Sequence, residues 1–125
     1  MTRTLLTLAA TFAATLTLSA HHSFSAYYFE QQSVTLEGVV HEFQYRSPHA
    51  ILVFTAPDAQ GRTRPYAAEW GNPNRLRRQG ITRETLKPGD AVVVTGSPGR
   101  NATEYKLHLK GIRRPADGWS WSNRR

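Results

Sequence analysis

The chain contains no cysteine, a single methionine and only nine acidic residues. Without cysteine it can form neither a disulfide nor a thiolate metal site, so stability must come from its core. Any metal ligands must then be histidines and carboxylates. The acidic residues are outnumbered by 16 Lys and Arg, which gives a net charge of +7. That charge favours anionic partners in general without choosing among nucleic acid, acidic lipid and anionic polysaccharide.

No catalytic constellation is complete in the sequence. We find no paired carboxylates, phosphate-binding loop or dinucleotide fingerprint. Ser23 adjoins His22, but a catalytic triad depends on spatial geometry and not on adjacency in the chain. The sequence therefore names no reaction, and a non-catalytic protein is favoured over an enzyme.

Residues 1–20 have the pattern of a secretory signal peptide. Arg3 precedes an apolar run from Leu5 to Leu18, and a small residue, Ala20, closes the segment. A run of roughly 14 residues is too short to span a bilayer, and no stop-transfer pattern follows. We expect a periplasmic or secreted protein with no transmembrane segment after signal removal. Its remaining 105 residues are enough for one domain.

The two histidines after this leader could chelate a metal ion. Cleavage after Ala20 would make His21 the first residue, whose α-amine and ring could bind one ion together. Cleavage after Ser19 would place His22 third, where amine, amide and imidazole nitrogens can surround a square-planar ion. Such nitrogen-rich planar sites suit Cu(II) or Ni(II). The alternative is that the two histidines are only the polar start of a mobile terminus.

Five segments have the composition of β-strands, and one has that of a short helix. The predicted strands are residues 34–45, 50–55, 64–70, 91–95 and 105–112, and the predicted helix is 74–79, with Asn72 and Pro73 as start signals. Gly38 predicts a bulge or strong coil in the first strand. Three strands, a helix and two strands is the order of an OB-fold, a five-stranded barrel. A small sandwich is the alternative.

The segments that flank this barrel are less regular. Residues 23–32 are expected to form an extended arm that packs Phe24, Tyr28 and Phe29 onto the barrel. Residues 82–86 predict a helical turn. The domain would span residues 21–114, followed by a tail over 115–125. The tail carries Trp119 and Trp121, which either fold back over one end of the barrel or lie at an anionic membrane surface.

His49 and Glu69 are further candidate metal ligands. His49 opens the second predicted strand, and Glu69 lies near the end of the third. We hypothesise a copper site that joins His21 or His22 to His49, with Glu69 as an oxygen ligand or as the partner that holds a ring. Alternatively, the His49 ring bonds a backbone carbonyl. His108 points outward in the alternation of the fifth strand and is predicted to be exposed to solvent.

The second hypothesis is an OB-like binding module without a metal. Its ligand face would lie on the second and third strands. Tyr66 and Trp70 could stack on bases there, but Arg64 is the only cation of these strands, which disfavours nucleic acid. An anionic glycan, an envelope component or a protein partner fits better. The arginines of the predicted helix are interpreted as a solvated face.

The chain also resembles a family of short exported bacterial proteins of unknown function over nearly its whole length. The resemblance is carried by motifs along the chain: Ala20-His21-His22-Ser23-Phe24, Leu36-Glu37-Gly38, Ser47-Pro48-His49-Ala50, Glu69, Gly71-Asn72-Pro73, Arg78-Gln79-Gly80, Leu86-Lys87-Pro88-Gly89-Asp90 and Gly96. Ser47 and Asn72 depart from the family pattern, in which Asn-Pro-His and Gly-Ser-Pro are usual. The resemblance implies an exported single domain and brings no established activity.

Overall fold

A six-stranded sheet and a short helix are built from residues 24–123, the part of the chain that this computed structural model describes. The elements, in chain order, are β1 (Val34–Gln44), β2 (Ile51–Pro57), β3 (Thr63–Glu69), α1 (Pro73–Arg78), β4 (Ala91–Pro98), β5 (Lys106–Arg114) and β6 (Trp119–Ser122), with a 3-10 turn at Ala102–Glu104 before β5. The five strands and the helix predicted from composition are confirmed within a few residues at each boundary.

The sheet closes into a barrel. Its strand order is β3-β2-β1-β4-β5-β6, and an additional pairing joins β3 to β5. The neighbours in that order are antiparallel, whereas the closing pair β3–β5 is parallel. The first five strands thus form a closed mixed barrel of the OB-like kind, as predicted.

The coil of β1 allows this closure. The first half of β1 pairs with β4 and the second half with β2, with a bulge between Val40 and Glu42. A Cβ atom at Gly38 would lie 2.3 Å from the carbonyl oxygen of Thr55. Only glycine permits that approach, so Gly38 explains the sharp coil that the sequence predicted, although the bulge itself lies further along the strand.

The barrel interior is apolar and closely packed. It contains apolar side chains from every strand of the barrel, among them Val40, Leu52, Phe54, Ala68, Val94, Leu107 and Leu109. The helix α1 covers one end with Leu76, and Asn72 caps it by accepting a hydrogen bond from the Asn74 amide at 2.9 Å. No helix within residues 24–123 is long and apolar enough to cross a bilayer.

Two predictions outside the barrel strands were wrong. Residues 82–86 form turns without helix. The predicted tail contains β6, which pairs with β5 and so extends the sheet by one strand. Trp121 of β6 packs against Trp70 with ring centroids 5.0 Å apart and donates its indole N–H to Gln79 at 3.0 Å. The tail therefore folds back onto the barrel, which was the first of the two alternatives for its tryptophans.

Candidate functional site

The segment before β1 lies across the closing strands of the barrel, and we call residues 24–32 the arm. Residues 24–27 are helical, whereas the sequence predicted an extended arm. Tyr28 then forms an isolated bridge with Gly99, and the Phe29 amide donates to the Pro98 carbonyl at 2.9 Å. Tyr28 is only 4% exposed, so the predicted packing of the arm on the barrel is confirmed at this residue.

Arg100, in the loop after β4, fixes the arm from outside. Its Nε donates to the carbonyl of Ser25 at 2.8 Å, and its guanidinium lies 4.6 Å from the centre of the Phe29 ring. Its backbone amide donates to the carbonyl of Tyr27 at 2.8 Å. These contacts hold the start of the arm against the barrel although most of them lie at the surface.

The first functional pair is His49 and Glu69. His49 Nδ1 lies 2.7 Å from Glu69 Oε1, and the Tyr28 hydroxyl donates to Glu69 Oε2 at 2.7 Å. The strand register explains the pair, because Glu69 lies opposite Ile51 and His49 shares the face of Ile51 two residues earlier. Burial and the bond to Glu69 raise the pKa of Tyr28, so the phenol stays a donor.

Both oxygens of Glu69 are thus occupied by hydrogen bonds. A carboxylate can only accept, so Nδ1 of His49 is the donor of this bond, and the neutral form of the ring would have its lone pair on Nε2. Of the two roles predicted for Glu69, this geometry matches the partner that holds a ring, not the direct oxygen ligand. The proposed bond from His49 to a backbone carbonyl is not the one that the structure contains.

The barrel closure brings a second histidine to the same face. In the parallel pairing of β3 with β5, Glu69 is the register partner of His108. Register partners on neighbouring strands point to the same side of a sheet. His108 and Glu69 therefore share the outer face of the closing strands, although 39 positions separate them in the chain.

The second functional pair is His108 and Glu30. His108 Nδ1 lies 2.7 Å from Glu30 Oε1, and Lys110 Nζ donates to Glu30 Oε2 at 2.6 Å. Burial lowers the pKa of His108 despite the bond to Glu30, so the ring is neutral at pH 7. Burial works against ionisation of Glu30, but the bonds from Lys110 and His108 prevail and lower its pKa.

The prediction that His108 is exposed was wrong. Its side chain points outward from the barrel, as the alternation indicated, but it is only 15% exposed. The arm covers it, because the ring of Phe24 stacks on the ring of His108 with centroids 3.8 Å apart and planes 3° apart. The sequence showed the direction of the side chain without showing the segment that lies on it.

Phe24 connects the two pairs. Its ring centre lies 5.3 Å from that of His49 as well as 3.8 Å from that of His108. All three rings line one cleft of about 220 Å³, with Trp70 and Arg75 also in its wall. Within residues 24–123, neither His49 nor His108 has a hydrogen-bond partner at Nε2. The imidazoles of His49 and His108 thus both line the cleft, and each is hydrogen-bonded to a carboxylate through Nδ1.

The remaining predicted ligands, His21 and His22, lie outside the described residues. Within the described range 24–123, no group of three or more His, Asp or Glu is placed to hold a metal ion. The structure thus joins His49 to Glu69 as predicted, and it adds Glu30 and His108, which the sequence did not single out. The alternation that pointed His108 away from the core was the one signal for it.

The face predicted for stacking on bases is not available. Trp70 is 2% exposed and belongs to the core, and Arg64 is paired with Asp58 at 3.2 Å. A larger cleft of about 670 Å³ lies beside the turn between β2 and β3, where Tyr66 and Tyr105 form part of the wall. Its wall offers aromatic surface, and no arginine is among the described residues that line it.

Together these features define a small OB-like barrel with two carboxylate-bound histidines, one just before β2 and one on β5, both in contact with the arm. The chain belongs to the family of unknown function DUF6152, whose sequence profile matches residues 9–108. The resemblance seen in the motifs is therefore confirmed as membership of a family of unknown function. No match was found among curated proteins or among solved structures.

Proposed function

We propose that this protein is exported and binds Cu(II) through the histidines of its mature N terminus together with His49. The observation that carries the proposal is the contact of Phe24 with His49. Phe24 is the first residue that the structure describes after the two terminal histidines, and it lines the same cleft as His49. That cleft contains an imidazole whose Nε2 has no hydrogen-bond partner within residues 24–123.

The state of His49 supports metal binding. A histidine that ligates a metal commonly donates its other ring N–H to a carboxylate, which fixes the tautomer and the ring orientation. His49 has this arrangement, since Nδ1 lies 2.7 Å from Glu69 Oε1. The Tyr28 hydroxyl in turn holds the second oxygen of Glu69. The ring is thus oriented before any ion arrives.

The type of ligand favours copper. The chain contains no cysteine, so a soft thiolate site is excluded. An α-amine, one or two terminal imidazoles and His49 make a nitrogen-rich set, which suits Cu(II) more than the oxygen-preferring ions. Both cleavage positions, after Ser19 and after Ala20, leave a terminal chelate of this type.

A Cu(II) titration of the protein purified from its export compartment tests the proposal. Intact mass fixes the mature N terminus, and electron paramagnetic resonance reports the nitrogen ligands. We expect one tight equivalent of Cu(II), lost when an extra residue precedes the mature terminus. Joint replacement of His22 and His49 by alanine should weaken Cu(II) binding more than about 100-fold. Mutation of residues that only hydrogen-bond to a ligand already lowers metal affinity about 10- to 100-fold.

His41 provides the matched control. It is an exposed histidine of β1 and is not among the residues that line the cleft. His41→Ala should leave the copper affinity unchanged, which separates the site from a general affinity of imidazoles for copper. A double variant of His22 and His49 that binds Cu(II) as tightly as the wild type would end the proposal.

A second candidate function is binding of an anionic envelope component through α1 without a metal. Within the described part of the chain, Arg75, Arg77 and Arg78 form no ion pair with a carboxylate. A helix with this much unpaired charge suits a polyanion. Replacement of the three arginines by glutamine should then abolish binding to vesicles rich in anionic lipid. Binding that vanishes equally for every polyanion in moderate salt would show charge without specificity.

A further inference from the structure

We infer that His108 is an additional Cu(II) ligand of this protein, held in position by Glu30. The inference rests on the proposed copper function, and it adds to the terminal histidines and His49 a ligand on the opposite side of the barrel closure. Its basis is the juxtaposition of His108 and His49 on one face, in contact with the same phenylalanine.

The surroundings of His108 repeat those of His49. Each ring has a carboxylate oxygen 2.7 Å from Nδ1, and each carboxylate has its second oxygen held by another donor. For Glu69 that donor is the Tyr28 hydroxyl, and for Glu30 it is the Lys110 ammonium. This is the arrangement in which a metal-ligating histidine commonly donates its other ring N–H to a carboxylate, and both rings have it.

The two rings also open into one space. Both line the cleft of about 220 Å³, and Phe24 is stacked flat on the face of His108 and tilted against the ring of His49. A metal ion lies in the plane of an imidazole ligand, so a ring stacked on its face leaves the Nε2 edge accessible. The Nε2 atom of His108 has no partner within residues 24–123.

The charges next to the rings balance. Glu30 and Glu69 contribute two negative charges, and Lys110 and Arg75 contribute two positive charges. Binding of an ion therefore depends on the two imidazoles and not on the net charge of the cleft.

His108→Phe is the test variant, because it removes the nitrogen and keeps an aromatic ring for Phe24 to stack on. Cu(II) affinity and the number of bound imidazoles, counted by pulsed electron paramagnetic resonance, are measured on the full exported chain. We expect an affinity at least about 10-fold weaker and one imidazole fewer. His41→Phe, an exposed histidine of β1, should change neither quantity. Near-ultraviolet circular dichroism checks that both variants are folded.

The outcomes separate the two proposals. Weaker binding with an unchanged imidazole count would overturn the assignment of His108, because it would show that the residue acts only through the arm. An unchanged affinity in His108→Phe, with binding still lost after N-terminal extension, would overturn it and leave the copper function standing. Absence of a tight site in the wild type would overturn the copper function itself.

Discussion

The two histidine–carboxylate pairs are alike in distance and differ in how the fold assembles them. His49 lies two residues before β2 and Glu69 is the last residue of β3, and these neighbouring strands are joined by one turn. His108 and Glu30 join the last strand of the barrel to the arm, across 78 positions of the chain. The second oxygen of Glu69 accepts a hydrogen bond from the neutral phenol of Tyr28, and that of Glu30 accepts one from the charged ammonium of Lys110.

This difference shows that one pair depends on a local hairpin and the other on the complete fold. The pair of His49 and Glu69 exists wherever β2 and β3 are in register. The pair of His108 and Glu30 also needs barrel closure and the seated arm, and it is the more buried of the two. We therefore expect the second pair to be lost first when the structure is loosened.

The largest effect is expected from Gly96→Ala, which should break only the pair of His108. A Cβ atom at Gly96 would lie 2.6 Å from the carbonyl oxygen of His108, so β5 must move. We expect a loss of about 3 kcal/mol in the free energy of unfolding, at the upper end for overpacking. Urea denaturation measures it, and the ring signals of His108 in nuclear magnetic resonance should shift more than those of His49.

Gly111→Ala is the control for that prediction. It lies on β5 as well, but the nearest atom to its Cβ would be 3.7 Å away, an ordinary van der Waals distance. We expect little change in stability and no displacement of His108. Equal destabilisation by the two alanines would contradict the steric explanation.

A smaller effect should distinguish the two carboxylates. Tyr28→Phe removes the phenol donor from Glu69, and Lys110→Met removes the ammonium donor from Glu30. We expect losses of about 1 kcal/mol and about 2 kcal/mol respectively, because both acceptors are carboxylates but only Lys110 is a charged donor. Denaturation of the metal-free variants measures both. The reverse order would mean that the pair of His49 carries more of the stability.

The smallest effect is expected in the pH dependence of the metal-free protein. Burial lowers the pKa of His108 below its usual 6.5, so the folded state resists a proton that the unfolded state accepts. Stability should therefore be full above about pH 6.5 and fall as the pH is lowered through the folded pKa. His108→Phe should flatten this part of the curve. If the dependence of stability on pH is the same in His108→Phe as in the wild type, other groups cause the loss of stability at lower pH.

Glu30 adds to the same trend at lower pH. Although burial opposes its ionisation, Lys110 and His108 lower its pKa below 4.5, so its contribution is present above that value and lost below it. The part of the curve below about pH 4.5 should persist in His108→Phe, because Lys110 still contacts Glu30. Thermal unfolding at a series of pH values separates the two ranges.

Much of the fold was predictable because its signals are local. The cap at Asn72, the turn at 87–90 and the apolar strands act on near neighbours in the chain, and the structure contains each of them. The strand β6 was missed although its alternation was visible, since Trp119-Ser120-Trp121-Ser122 has the period of a strand. Its short length and its place after an irregular segment concealed it.

The site was predictable only in part for a physical reason. His49 and Glu69 were named as candidates, and the two strands that they adjoin were both predicted. His108 was not named, because its environment depends on the parallel pairing of β3 with β5 and on the arm above it. Contacts between segments so far apart in sequence leave no periodic signal in either segment.

The closing pairing of the barrel is also its shortest, with three registered residue pairs between β3 and β5. An ion bound by both His49 and His108 would stabilise the pairing of β3 with β5, so ion binding would affect when this pairing forms during folding. The long-range closure forms after the local hairpins, since its loop entropy is larger. A bound ion would then slow unfolding by resisting the first separation of these strands, and the melting temperature would rise with the concentration of free copper.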